Sequence, residues 1–122
     1  MYGYIYRTTN TVTGKFYIGK KAYLHRTKVK LSKKQRKLTG KRIKYVEKSS
    51  GWENYYGSSD ELQKDIEKYG KDKFIVTKLK ECEDRVSLAY WEQHYQFTLS
   101  VLFCNTYNGN IGGKFYRNKI KT

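Results

Sequence analysis

The sequence predicts one α/β domain over residues 1–122: a small three-stranded, mainly antiparallel sheet flanked by helices, with a basic insertion after an N-terminal hairpin. Three observations predict it. Two short aromatic runs, Tyr4-Ile5-Tyr6 and Phe16-Tyr17-Ile18, flank a polar segment ending in Thr13-Gly14-Lys15. A mostly apolar run, Phe74-Ile75-Val76-Thr77-Lys78-Leu79, has the composition of a strand. Segments with helical spacing begin near Ser58 and Val86, on either side of that run. With 122 residues the chain can hold one domain with a modest core.

The aromatic runs read as the arms of a hairpin that brings Tyr6 close to Tyr17, because β-branched and aromatic residues favour strands and Asn, Thr and Gly favour turns. Gly19, after the second arm, allows a close backbone approach. The plainer alternative makes both tyrosines half-buried strand residues. From about 27 to 50 the chain is crowded with cations and poor in apolar residues. That segment predicts a loop or loosely held helix that orders on a partner. Trp52, Tyr55 and Tyr56 form an aromatic patch, read as a lid on the core, with base stacking as the functional alternative.

Ser58 with Glu61 reads as a capping box, followed by a Leu62, Ile66, Tyr69 stripe and a stop at Gly70. Residues 74–79 are then predicted as a central strand and 80–85 as a charged turn. The helix from Val86 to Leu102 is apolar on nearly all sides, so burial is predicted. Glu92 falls in its widest apolar arc, among Leu88, Tyr95, Leu99 and Phe103, where an unpaired charge is costly. It must be protonated, paired with a cation or bound to a metal. Asn108-Gly109 reads locally as a tight turn. The tail from about 114 to 122 is basic, and is expected to touch phosphates or to be disordered.

Charge is the strongest global signal. The net charge is +15, and residues 1–46 hold fourteen Lys and Arg with no acid. Such asymmetry implies a polyanionic partner held by Lys21, His25, Lys28, Lys30, Lys33, Lys34, Arg36, Lys37, Lys41 and Arg42. No apolar run reaches membrane-spanning length and no signal-peptide core is present, so a cytoplasmic location is expected. Cys82 and Cys104 lack the spacing of a zinc site or disulfide framework, and buried free thiols are the simpler expectation.

Tyr4-Ile5-Tyr6 and Tyr17-Ile18-Gly19, with Asn10 and Gly14-Lys15 between them, resemble the paired motifs of the GIY-YIG nucleases. Tyr4 stands where that family usually has Gly. The resemblance, closest to small free-standing phage-encoded members, implies a DNA endonuclease. It implies that Tyr6 or Tyr17 activates or positions the attacking water. Arg26 would brace the phosphate, with Arg36 and Arg42 as reserves, Glu92 would hold a divalent metal, and Asn108 would lie near the active site. Bottom-up chemistry is compatible with this. No Ser-His-Asp set, Walker loop or HExxH motif is present. One carboxylate with phosphate oxygens and water suits Mg2+, or another divalent cation such as Mn2+. Tyrosine is a poor base with a free pKa of about 10, so nearby cations or the metal would have to lower it, and Lys20 and Lys21 are positioned to help. Double-stranded DNA is the expected partner; the oligomeric state stays open, and a dimer or higher assembly would suit double-strand cutting. The rival expectations are a non-catalytic nucleic-acid-binding module, in the sense of a decayed nuclease, and a basic RNA-binding structural protein.

Overall fold

A computed structural model describes residues 1–121. In chain order the elements are β1 (Gly3–Asn10), β2 (Phe16–Ala22), β3 (Leu24–Lys30), α1 (Lys33–Thr39), β4 (Ile43–Ser49), a 3-10 turn (Trp52–Asn54), α2 (Asp60–Tyr69), β5 (Phe74–Cys82) and α3 (Arg85–Thr98). Two-residue strands β6 (Asn110–Ile111) and β7 (Phe115–Tyr116) close the chain. The main sheet has the order β2-β1-β5 and is antiparallel throughout. The predicted three-stranded sheet is therefore present, with the hairpin at its heart.

Direct partners in an antiparallel pair share a face. Tyr6 lies opposite Gly19 and Thr8 opposite Tyr17, so Tyr4, Tyr6, Thr8, Tyr17 and Lys21 occupy one face. Ile5, Ile18 and Lys20 occupy the other. Each face carries its own core. Ile5 and Ile18 pack with Leu88, Val101, Leu102 and Ile111 under α3. On the opposite face Leu62 and Ile66 of α2 pack with Phe74 and Tyr107, and Tyr17 joins them. Trp52 closes the far end of that face: its carbonyl accepts a hydrogen bond from the Tyr4 hydroxyl, and its ring stands edge-on to Tyr4 and Tyr23. The lid reading of Trp52 holds, and it explains how a large residue fits at Tyr4, which is only 1% exposed.

Several expectations are corrected. β1, covered on both faces, is the central strand, and β5 is an edge strand with residues 75–78 exposed. An apolar composition alone does not say which strand is sandwiched. β5 also runs on to Cys82 through the predicted charged turn. The α2 cap is Ser59, whose hydroxyl accepts from the Leu62 N–H, which leaves Ser58 free for another partner. α3 starts at Arg85 behind an Asp84 cap and is not buried all round. Only Leu88 and Gln96 are buried on it, while Val86, Tyr90 and Phe97 face outward, because the sheet covers one side and, among the described residues, no second layer covers the other. Of the two free cysteines, Cys82 is buried and Cys104 exposed.

The largest correction concerns the basic insertion. It is neither loop nor loose helix but a two-stranded ribbon, β3 paired with β4, capped at its tip by α1. Ser32 and Gln35 form a full capping box, and Gly40 ends the helix in the left-handed region at φ 70°.

Candidate active site

β2 is an edge strand, so the outward main-chain groups of Phe16, Ile18 and Lys20 need partners from outside the sheet. The segment after α3 supplies most of them. Tyr107 N–H donates to the Phe16 carbonyl at 2.8 Å. The Asn108 side chain pairs with Ile18 like a strand residue: its Oδ1 accepts from Ile18 N–H at 3.0 Å, and its Nδ2 donates to Ile18 O at 2.9 Å. Gln96 Nε2 also donates to Ile18 O, at 3.1 Å. This seam walls a cleft of about 580 Å³. Tyr17 of β2, Ser58 to Glu61 at the start of α2, Glu92 and Gln96 of α3 and residues between Tyr107 and Gly113 line it. The cleft straddles the sheet edge, so side chains from both faces meet there.

Tyr17 reaches the cleft from the α2 face. Its hydroxyl shares a hydrogen bond with Ser58 Oγ at 3.1 Å. Gly57, at φ 142°, lets the chain pass so close that a Cβ would lie 2.9 Å from the Tyr17 ring. Burial pushes the Tyr17 phenol pKa up, and the Glu92 charge adds to this against the Ser58 hydrogen bond. That direction is opposite to the lowering expected from Lys20 and Lys21, and Tyr17 is a neutral phenol near pH 7. Tyr6 lies beneath it, 6.2 Å between ring centroids and 1% exposed, so it supports the Tyr17 ring without lining the cleft. Burial drives its phenol pKa far above the ordinary value. Tyr55 stands edge-on to Tyr6, and Lys21 Nζ lies 4.0 Å from the Tyr55 ring centre, which closes that side.

Glu92 reaches the cleft from the other face. Its side chain is 19% exposed and lies 4.0 Å from Lys20 Nζ. Burial raises its carboxyl pKa, while the Lys20 ammonium and main-chain N–H pull it down less strongly. One helical turn on, Gln96 spends its amide nitrogen on Ile18, which leaves Oε1 buried without a hydrogen-bond partner. A buried acceptor left alone costs about 1–3 kcal/mol. Two oxygen donors spaced i, i+4, one anionic and one neutral, fit a hard divalent cation that takes its other ligands from phosphate and water. Among the described residues no three His, Cys, Asp or Glu side chains cluster, so a nitrogen- or sulfur-rich metal finds no ligand set.

Two residues in this region escape a reading by sequence alone. Gln96 has only its spacing from Glu92 as a signal. Arg117 has none. Its guanidinium donates to the carbonyls of Val101, Cys104 and Asn108 and to Thr106 Oγ1, and so pins the strip that covers β2. Arg117 is thus committed to structural bonds rather than left free for phosphate. Arg117→Met is expected to cost about 2–4 kcal/mol, since it leaves several carbonyls without donors. Thermal melting measures this, and an unchanged midpoint would show that the strip holds without it.

The cleft brings together Tyr17, Glu92 and Asn108, with Lys20 beside Glu92. It does not include Arg26. That side chain sits on β3, packs over the Tyr45 ring at 4.3 Å and faces Glu47 across the ribbon. It borders a separate depression with His25 and Arg85. Its distance from Tyr17 follows from the ribbon, which carries the segment away from the sheet where a compact helix was expected. Lys28, Lys30, Arg36 and Arg42 lie together on the ribbon and α1, and Lys33, Lys34, Lys37 and Lys41 are exposed around the tip. No arginine lines the cleft among the described residues.

A family model described as "Putative endonuclease segE, GIY-YIG domain" matches residues 1–120. No curated protein and no solved structure gives a significant match. The match spans the hairpin, the ribbon, both helices that wall the cleft and the strip pinned by Arg117. The chain belongs to the GIY-YIG endonuclease family and is by that membership a phosphodiester hydrolase.

Proposed function

We propose that the protein is a magnesium-dependent endonuclease that hydrolyses double-stranded DNA at the cleft on the β2 edge. The observation that carries this is the meeting of Tyr17 and Glu92 in one open, polar cleft, with the unpartnered Gln96 Oε1 buried in its wall. Glu92 and Gln96 would hold the cation. When bound, a divalent cation supplies Lewis-acid stabilisation of the charge on the phosphate and on the departing oxygen.

The remaining roles belong to side chains near that pair. Tyr17 stays protonated and donates its hydroxyl hydrogen, so it orients the attacking water or a nonbridging oxygen rather than removing a proton. For this Ser58 Oγ would be the donor to the Tyr17 oxygen, which leaves the Tyr17 hydrogen for the water or phosphate. Lys20 takes the bracing role that the family resemblance assigned to Arg26, since it is the cation beside Glu92. Asn108 acts through Ile18 by holding β2 in place, because both ends of its amide are already engaged. Lys28, Lys30, Arg36 and Arg42 of the ribbon and α1, with Lys33, Lys34, Lys37 and Lys41 around the tip, supply the sequence-independent hold on the duplex.

The test is cleavage of supercoiled plasmid with magnesium, with manganese and with chelator, for the parent protein and Tyr17→Phe. Magnesium-dependent nicking or linearisation is expected, reduced about 10²-fold in Tyr17→Phe with unchanged folding. Binding without cutting under every metal would overturn the reading.

A further inference from the structure

The ribbon is built asymmetrically. Lys28 lies opposite Tyr45 and Lys30 opposite Ile43, so both lysines share one face. Lys44 lies opposite Val29 and Lys48 opposite His25, on the reverse face. α1 is held against the ribbon end by Leu31, which is 7% exposed and whose main chain bonds to the Arg42 carbonyl. Arg36 Nε donates to the Leu31 carbonyl at 3.1 Å, which directs its guanidinium back over the ribbon. The result is a concave site of about 440 Å³ lined by Lys28, Lys30, Arg36, Arg42 and Ile43, with no carboxylate. Among the described residues none of these four cations forms an ion pair. Four like charges around one concavity repel one another, and an anion that enters offsets this repulsion.

We propose that this site is a cradle for a backbone phosphate of duplex DNA, outside the cleavage cleft. It rests on the nuclease reading above for its ligand class. Arg36 and Arg42 offer planar forks that match phosphate oxygens, and the lysines add point charge. The carrier has the right shape, because a two-stranded ribbon enters a major groove of roughly 12 Å width. Seven residues per strand give the arm a length of about 23 Å at roughly 3.3 Å per residue. At about 3.4 Å per base step, the cradle lengthens the footprint by at most about seven base pairs. The cradle senses backbone, not bases, so it sets affinity and orientation rather than sequence preference.

The experiment measures binding in chelator, where no cutting occurs, by fluorescence anisotropy on a duplex of about 30 base pairs between about 50 and 200 mM salt. Lys30→Gln/Arg42→Gln removes two cradle charges, and Lys44→Gln/Lys48→Gln removes two from the reverse face. All four side chains are exposed, so each variant is expected to melt as the parent does. The cradle pair should weaken binding about tenfold and flatten the slope of log K against log salt by about two, equally on unrelated sequences. The reverse-face pair should change affinity less than about threefold. Unchanged affinity in the cradle pair, or equal losses from both pairs, would overturn the proposal. Plasmid cleavage separates the two readings. A cutting enzyme with an idle cradle refutes only the cradle, and a non-cutting protein whose cradle variants bind poorly refutes only the nuclease mechanism.

Discussion

Glu92→Gln is expected to lower magnesium-dependent plasmid cleavage about a thousandfold, because the cation it would hold contributes several kcal/mol to the transition state. The same change should raise the melting temperature by about 2–4 °C at pH 7. The reason is electrostatic. Glu92 is desolvated in the fold, and this raises its carboxyl pKa more than Lys20 lowers it. A group that binds its proton more tightly folded than unfolded penalises the fold above its folded pKa. The penalty fades as pH falls and is gone below the unfolded value of about 4.3. The stability gain of the variant should therefore be full at neutral pH and vanish on acidification. Cleavage by the parent protein should also fall on acidification, because protonated Glu92 is a poor ligand for the cation. Melting curves and plasmid assays across pH read both. A variant less stable than the parent at pH 7 would mean that Lys20 outweighs the burial.

Gly19→Ala is expected to disable the site from beneath. Gly19 lies directly across from Tyr6 in the hairpin, and a Cβ there would come within 2.5 Å of the Tyr6 hydroxyl and 2.8 Å of the Tyr17 ring. Tyr6 cannot retreat, since it is enclosed by Tyr4, Tyr17 and Tyr55, whereas Tyr17 borders the open cleft. The added methyl should cost about 2–3 kcal/mol in overpacking and displace Tyr17, with a cleavage loss of about 10²-fold. Tyr6→Phe removes the nearest atom of the clash. The double variant should accordingly recover part of the stability lost by Gly19→Ala alone, which a double-mutant cycle by denaturant titration would quantify. Strict additivity would mean that the two positions do not collide. The glycine of the second triplet is thus the space into which the tyrosine of the first triplet fits.

What could be read beforehand depended on the range of the forces involved. The hairpin was legible because alternation and turn chemistry act over a few residues, and its pairing put Tyr6 beside Tyr17. Glu92 was legible because a carboxylate among Leu88, Tyr95 and Leu99 violates a local pattern. The ribbon was hidden, because lysine and arginine on both of its faces conceal strand alternation, and their long stems do the limited packing. Asn108 resembled a turn residue, since its partner Ile18 is 90 residues away. Arg117 was one more cation in a basic tail. The central position of β1 could not be told from that of β5 either, because both strands are apolar and only the layering distinguishes them.

The strip that closes the β2 edge has a consequence for how the enzyme matures. β1, at the beginning of the chain, cannot gain its second neighbour until Phe74 to Cys82 is available, and the cleft is unwalled until Asn108 and Arg117 dock. Pairings of this sequence separation are slow to form. A ribosome-bound or proteolytically shortened chain that lacks Arg117 would carry Tyr17, Glu92 and Gln96, yet hold them without a shared cavity. Its basic first half could still adhere to nucleic acid. Catalytic competence is thereby coupled to synthesis of almost the whole domain, and adhesion is not.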